Sequence, residues 1–126
     1  MADIIEIDGK KLFTLPEARA LLPVVRRVTA HAEEKVRDLG ARYSYLTDAE
    51  KRTAVEAEIR GCIGEWQQKL QRLGLFSKGL WLVDFDHGDG YWCWKYPEPD
   101  ILFTHGDHEG FSQRRELPPA TPEAHS

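Results

Sequence analysis

The apolar positions change rhythm once along the chain, and the change separates a helical half from a sheet half. From Ala18, apolar residues recur at Leu21, Leu22, Val25, Val28, Ala32, Val36 and Leu39, in steps of three and four. That spacing makes one face of a helix. Thr14-Leu15-Pro16-Glu17 precedes it as a capping box, with Pro16 in the first turn, where its missing N–H costs nothing. Pro23 inside the run predicts a kink, and Gly40 predicts the stop. A second run, Val55, Ile59, Cys62, Ile63, Trp66, Leu70 and Leu73, follows a second capping box at Thr47-Asp48-Ala49-Glu50 and ends at Gly74. Residues 41–46 form a short loop between the runs, so the two helices should be an antiparallel hairpin. Gly61 and Gly64 lie mid-helix, where each costs about 1 kcal/mol relative to Ala. Close packing against a neighbouring backbone is the expected reason.

Beyond the helices the period falls to two. Residues 79–86, 91–96 and 101–105 read as strands, separated by turn clusters at His87-Gly88-Asp89-Gly90 and Pro97-Glu98-Pro99-Asp100. Four-residue turns pair Phe85 with Trp92 and Val83 with Trp94, then Trp94 with Phe103 and Trp92 with His105. One face then holds Trp81, Val83, Phe85, Trp92, Trp94, Tyr96, Ile101, Phe103 and His105, and should pack on the helices. The other carries Leu82, Asp84, Cys93, Lys95, Leu102 and Thr104. The predicted fold class is α+β: an antiparallel helical hairpin followed by a three-stranded antiparallel β-meander packed on it. Residues 14–117 form the expected single domain. Residues 1–13 precede it as an arm or short edge strands, and 118–126 follow as a disordered Pro-rich tail.

Length and composition narrow the function. The 126 residues suit one core. No apolar run is long enough to span a membrane. The start, Met1 to Glu6, lacks the basic and apolar regions of a secretion signal. Lys plus Arg number 17 and Asp plus Glu 21, a formal charge of −4, which argues against nucleic acid as a partner. Helix-turn-helix spacing and a basic recognition helix are also missing, which argues against a transcription regulator. Cys62 and Cys93 form no CxxC, and two free thiols fit a cytoplasmic protein.

The chemistry concentrates near the third strand. His105 and His108, with Asp107, Glu109 or Asp84, could bind zinc or iron through nitrogen and oxygen. The competing reading is a core histidine satisfied by hydrogen bonds. The segment from Asp84 to Gly90 has oxygen donors on alternate residues but lacks EF-hand spacing, and a hairpin turn accounts for it. Cys93 lies between Trp92 and Trp94. In the expected register it points away from His105, and Asp84 across the ladder would raise its pKa, so a catalytic thiol is disfavoured. Arg114 could pair with an acidic ligand or with Glu109.

Three blocks then fall together: Phe13 to Ala18 with Leu21-Leu22-Pro23; Gly79 to Phe85; and Cys93-Trp94-Lys95 with Pro97-Glu98-Pro99, His105-Gly106, Gly110-Phe111 and Arg114. Together they resemble the small bacterial family catalogued as domain of unknown function 2203, over roughly residues 12–117. The resemblance implies a helical hairpin followed by a small sheet. It points to Cys93, His105, Gly110, Phe111 and Arg114, and implies no activity. With Trp92 added, Cys93, Gly110, Phe111 and Arg114 form the candidate ligand-contacting set.

Two functions compete. One is a small cytoplasmic binding or interaction module with a small molecule or protein as partner. It would be a homodimer, because a sheet covered on one side would expose Leu82, Cys93 and Leu102. The other is a divalent-metal protein, zinc or iron, centred on His105, extending to a metal-dependent hydrolase or oxidoreductase.

Overall fold

A computed structural model describes residues 5–7 and 10–118. Strands β1 (Ile5–Ile7) and β2 (Lys10–Leu12) form an antiparallel two-stranded arm. Helices α1 (Leu15–Ser44) and α2 (Ala49–Arg72) follow as a long hairpin. Strands β3 (Phe76–Gly79), β4 (Leu82–Asp86), β5 (Gly90–Lys95), β6 (Phe103–Gly106) and β7 (Arg115–Glu116) then make an antiparallel sheet in sequential order. The class is α+β, and the sheet has five strands rather than the expected three. The Asp8-Gly9 turn and the tail beyond Pro118 lie outside the described residues.

Local chemistry explains where the helices begin and end. The Thr14 N–H donates to Glu17 Oε1 (2.8 Å), and the Glu17 N–H donates to Thr14 Oγ1 (3.2 Å), closing the capping box. Helix α1 runs through both Pro23 and Gly40, so the stop expected at Gly40 is corrected: the C-cap is Tyr45. An isolated glycine costs only about 1 kcal/mol in a helix. The extension places Tyr43 to donate to Glu56 Oε2 (3.0 Å), with the Arg52 guanidinium 4.3 Å above its ring. The cap of α2 is Asp48 rather than Thr47, its Oδ1 accepting from the Lys51 N–H (3.0 Å). Gly74, at φ +82°, ends α2 as expected. Gly61 and Gly64 correct another expectation: among the described residues, a Cβ at either would meet nothing within 4 Å, so no described backbone approaches them.

Helix α1 is about 45 Å long at 1.5 Å per residue, and the sheet covers only the base of the hairpin. The core joins Ala18, Leu22, Val25 and Ala32 of α1 and Trp66 and Leu70 of α2 to Val83, Phe85 and Trp94 of the sheet. Trp66 is its hinge. Its Nε1–H donates to the buried Thr29 Oγ1 (2.8 Å), and its ring meets Trp81 edge-on at 4.9 Å. Trp81 is no longer a strand residue. It takes φ +63° in the turn between β3 and β4, so the strand expected over 79–86 narrows to β4. Among the described residues, no helix is long and apolar enough to cross a membrane.

The two hairpins of the meander differ from each other. Between β4 and β5 the register is as expected: Asp86 opposite Tyr91, Phe85 opposite Trp92, Val83 opposite Trp94. The turn is set locally, with the Gly88 N–H on Asp86 Oδ1 (2.8 Å) and the His87 N–H on Gly90 O (2.9 Å). Between β5 and β6 the expected register is wrong by one residue. Tyr91, not Trp92, lies opposite His105, and Cys93, not Trp94, lies opposite Phe103.

The cause is Ile101. Instead of standing in the third strand as expected, it leaves the ladder and enters the core, fully buried. Its N–H is taken by Asp100 Oδ1 (2.7 Å) and its carbonyl by Arg19 of α1 (2.9 Å). Arg26 binds the Pro99 carbonyl (2.6 Å), and Trp94 Nε1 binds the Glu98 carbonyl (2.8 Å). Strand β6 therefore starts at Phe103, and a slip of one residue turns its side chains over. Phe103 and His105 move from the helix-facing side to the open side. Arg115-Glu116 pair with β6 as a further strand, and Leu117 packs on the core.

Candidate metal centre

The slip brings three buried ligating groups together on the open face. Asp84 in β4 lies directly opposite Cys93 in β5, and His105 in β6 lies one step along the neighbouring strand. One ligand atom from each lies within 4.8 Å of the other two. All three residues are at most 2% exposed.

The hydrogen bonding leaves a place for a proton or a cation between His105 and Asp84. His105 Nδ1 lies 2.9 Å from the Gly106 carbonyl, which can only accept, so Nδ1 carries the hydrogen. In a neutral imidazole, Nε2 is then a bare lone pair, and it faces Asp84 Oδ1 at 3.1 Å. Two acceptors at that distance need a proton or a cation between them. Asp84 Oδ2 is buried without a hydrogen-bond partner, and the nearest cation, Lys78 Nζ, is 3.8 Å away. A buried carboxylate oxygen that accepts no hydrogen bond costs free energy unless something compensates it. The Cys93 thiol is pushed up to about 12 by burial first and by the Asp84 carboxylate second, against an opposing pull from Arg114. Without a metal it is a neutral thiol. A divalent ion would supply the positive charge that stabilises its thiolate, the ligating form.

The segment after β6 roofs the cluster. The Gly106 N–H donates to Glu109 Oε1 (2.6 Å), which also accepts from Arg115 (2.8 Å). These bonds hold the Glu109 carboxyl below its usual range, the Gly106 amide contributing most. Residues Phe111–Gln113 make one 3-10 turn. Arg114 then folds its guanidinium between the rings of Phe103 (3.9 Å) and Phe111 (4.1 Å) and makes a two-pronged pair with Glu98 (3.0 and 2.9 Å). Burial works against this cation, but the Glu98 pair outweighs it and raises the Arg114 pKa. Between roof and sheet lies a cavity of about 80 Å³, lined by the triad with Lys78, Leu82, Gly110 and Phe111.

The residues singled out from sequence separate clearly. Asp84 and His105 meet. Asp107 and His108 are exposed and lie outside the triad, and Glu109 is engaged by Gly106 and Arg115. Cys93, Gly110 and Phe111 line the cavity, and Arg114 braces its roof. Trp92 faces the opposite side of the sheet, its Nε1–H on the Phe13 carbonyl (2.9 Å) and its ring against His87. Asp86 serves the hairpin turn. Cys93 as a partner of Asp84 and His105 was missed, because the expected register put His105 on the other face. The expected pull of Asp84 on Cys93 has the predicted direction. Cys93 is also buried rather than displayed, so the open-face patch behind the homodimer expectation loses one of its three members.

A family model described as "Uncharacterized conserved protein (DUF2203)" matches residues 11–117. The chain belongs to the DUF2203 family. No curated protein and no solved structure matches it.

Proposed function

We propose that this DUF2203 protein is a small binding protein whose ligand is a transition-metal ion, held by Asp84, Cys93 and His105. The observation that carries the reading is the Asp84 carboxylate, buried with one oxygen accepting no hydrogen bond, Lys78 Nζ 3.8 Å from it, and the other facing His105 Nε2. A cation between Asp84, His105 Nε2 and Cys93 Sγ satisfies all three at once. The Nδ1–H on a backbone carbonyl is the outer hydrogen bond that orients a metal-binding histidine. One thiolate, one imidazole and one carboxylate suit zinc, and three protein ligands leave a further position for an exogenous group. Zinc is therefore preferred over iron. An ion here could polarise a bound molecule or activate water.

Cobalt(II) titration of the purified, chelator-treated protein tests this. We expect one equivalent to bind and to produce a thiolate-to-cobalt charge-transfer band. Cys93→Ser should remove the band, and Asp84→Asn should weaken binding by about 10-fold or more. Folded protein, judged by circular dichroism, that takes up no cobalt or zinc would overturn the reading.

A further inference from the structure

We propose that the metal site takes a short-chain monocarboxylate as its exogenous ligand, with Lys78 as the counter-charge. This inference rests on the metal reading above. Its first support is the charge balance. A divalent ion is neutralised by the Asp84 carboxylate and the Cys93 thiolate. Arg114 is already matched by its two-pronged pair with Glu98. Lys78 remains, its Nζ 3.8 Å from Asp84 Oδ2 and 3.7 Å from the Tyr91 ring centroid. Among the described residues, Asp84 is the only carboxylate within ion-pair distance of it, and that charge is already spent on the metal. The loaded site therefore carries one net positive charge and calls for one monoanion.

The second support is the shape and lining of the cavity. Its volume of about 80 Å³ is several times the ~10–15 Å³ one water needs by the same measure. Leu82 and Phe111 line it beside Lys78. A ligand that fits has an anionic head for the ion and Lys78 and a small apolar end for Leu82 and Phe111. Acetate and propionate have that form. Inorganic phosphate carries more charge and has no apolar end.

The cobalt-loaded protein provides the test, because its visible bands report any new ligand on the ion. Propionate should shift those bands saturably, and phosphate at equal concentration should do so much less. Lys78→Met keeps the stem of this exposed residue and removes its charge. It should weaken propionate binding by about ten-fold or more without weakening cobalt binding, because the lost ammonium competes with the ion for Asp84. Cobalt bound with bands unmoved by propionate would overturn the proposal and leave the metal reading standing. So would a Lys78→Met protein that binds propionate as well as the parent, or phosphate acting as strongly as propionate. Failure to bind cobalt at all would overturn both.

Discussion

The two faces of the sheet solve opposite problems. The face against the helices holds Val83, Phe85 and Trp94, each fully buried, and the indole N–H of Trp94 ends on a backbone carbonyl. That indole is the one side-chain polar group the three carry, and burial of apolar area stabilises the fold. The open face holds Asp84, Cys93 and His105, equally buried but under a roof of only one short turn and a stacked arginine. Here burial leaves a carboxylate oxygen without a hydrogen bond and raises a thiol pKa. Equal burial thus gives stability on one face and a charge imbalance on the other. The difference lies in which side chains the register delivers to each face.

Four substitutions sharpen or break that contrast. The largest effect is expected on the helix side. Trp94→Ala should lose about 3–5 kcal/mol, a large part of the 5–15 kcal/mol that typically holds a domain together. The urea midpoint should fall accordingly, and an unchanged midpoint would end the claim that this face carries the fold. On the open side the expected effect depends on pH. The folded Cys93 pKa is raised from 9.0 to about 12, so the metal-free fold favours the neutral thiol. Its contribution is complete below pH 9 and is lost as pH rises toward 12, where the unfolded chain ionises first. Relative to Cys93→Ala, the parent should lose up to about 1.4 kcal/mol per pH unit across that window. Parallel stability curves for the two proteins would show that the thiol carries no such penalty. The smallest effect lies far from both faces. Gly61→Ala and Gly64→Ala place a methyl in open space and should each raise stability by about 1 kcal/mol. Cobalt binding should stay the same, and a loss of stability would mean that a neighbour does approach α2 there.

Much of the architecture was legible because it rests on local rules. The Thr14–Glu17 box, the stop at Gly74 and the turn around Asp86 and Gly88 each involve residues within a few positions of one another. The register of β4 against β5 followed from that turn. Helix α1 outran Gly40 because contacts with α2 hold its last turn, and a helix signal read within one segment cannot contain them. Strands β3 and β7 were missed because Phe76–Gly79 and Arg115–Glu116 are short, and each is defined by the strand beside it. The candidate site was half legible. Asp84 and His105 were named, but with His108, Asp107 and Glu109 as companions rather than Cys93.

The amino-acid pattern alone determined two capped helices, the change of period after Gly74, the α+β class and the aromatic face of β4 and β5. Alternation along one strand is a property of that strand, so composition and spacing suffice to read it. Which face of the sheet received His105 was decided only in three dimensions. Arg19 and Arg26 on α1 grip the carbonyls of Ile101 and Pro99, residues far away in sequence, and Ile101 is drawn into the core. That displacement shifts β6 by one position and turns a predicted core histidine toward Asp84 and Cys93. Register between strands depends on the loop that joins them and on what that loop touches, and those contacts exist only once the helices are in place.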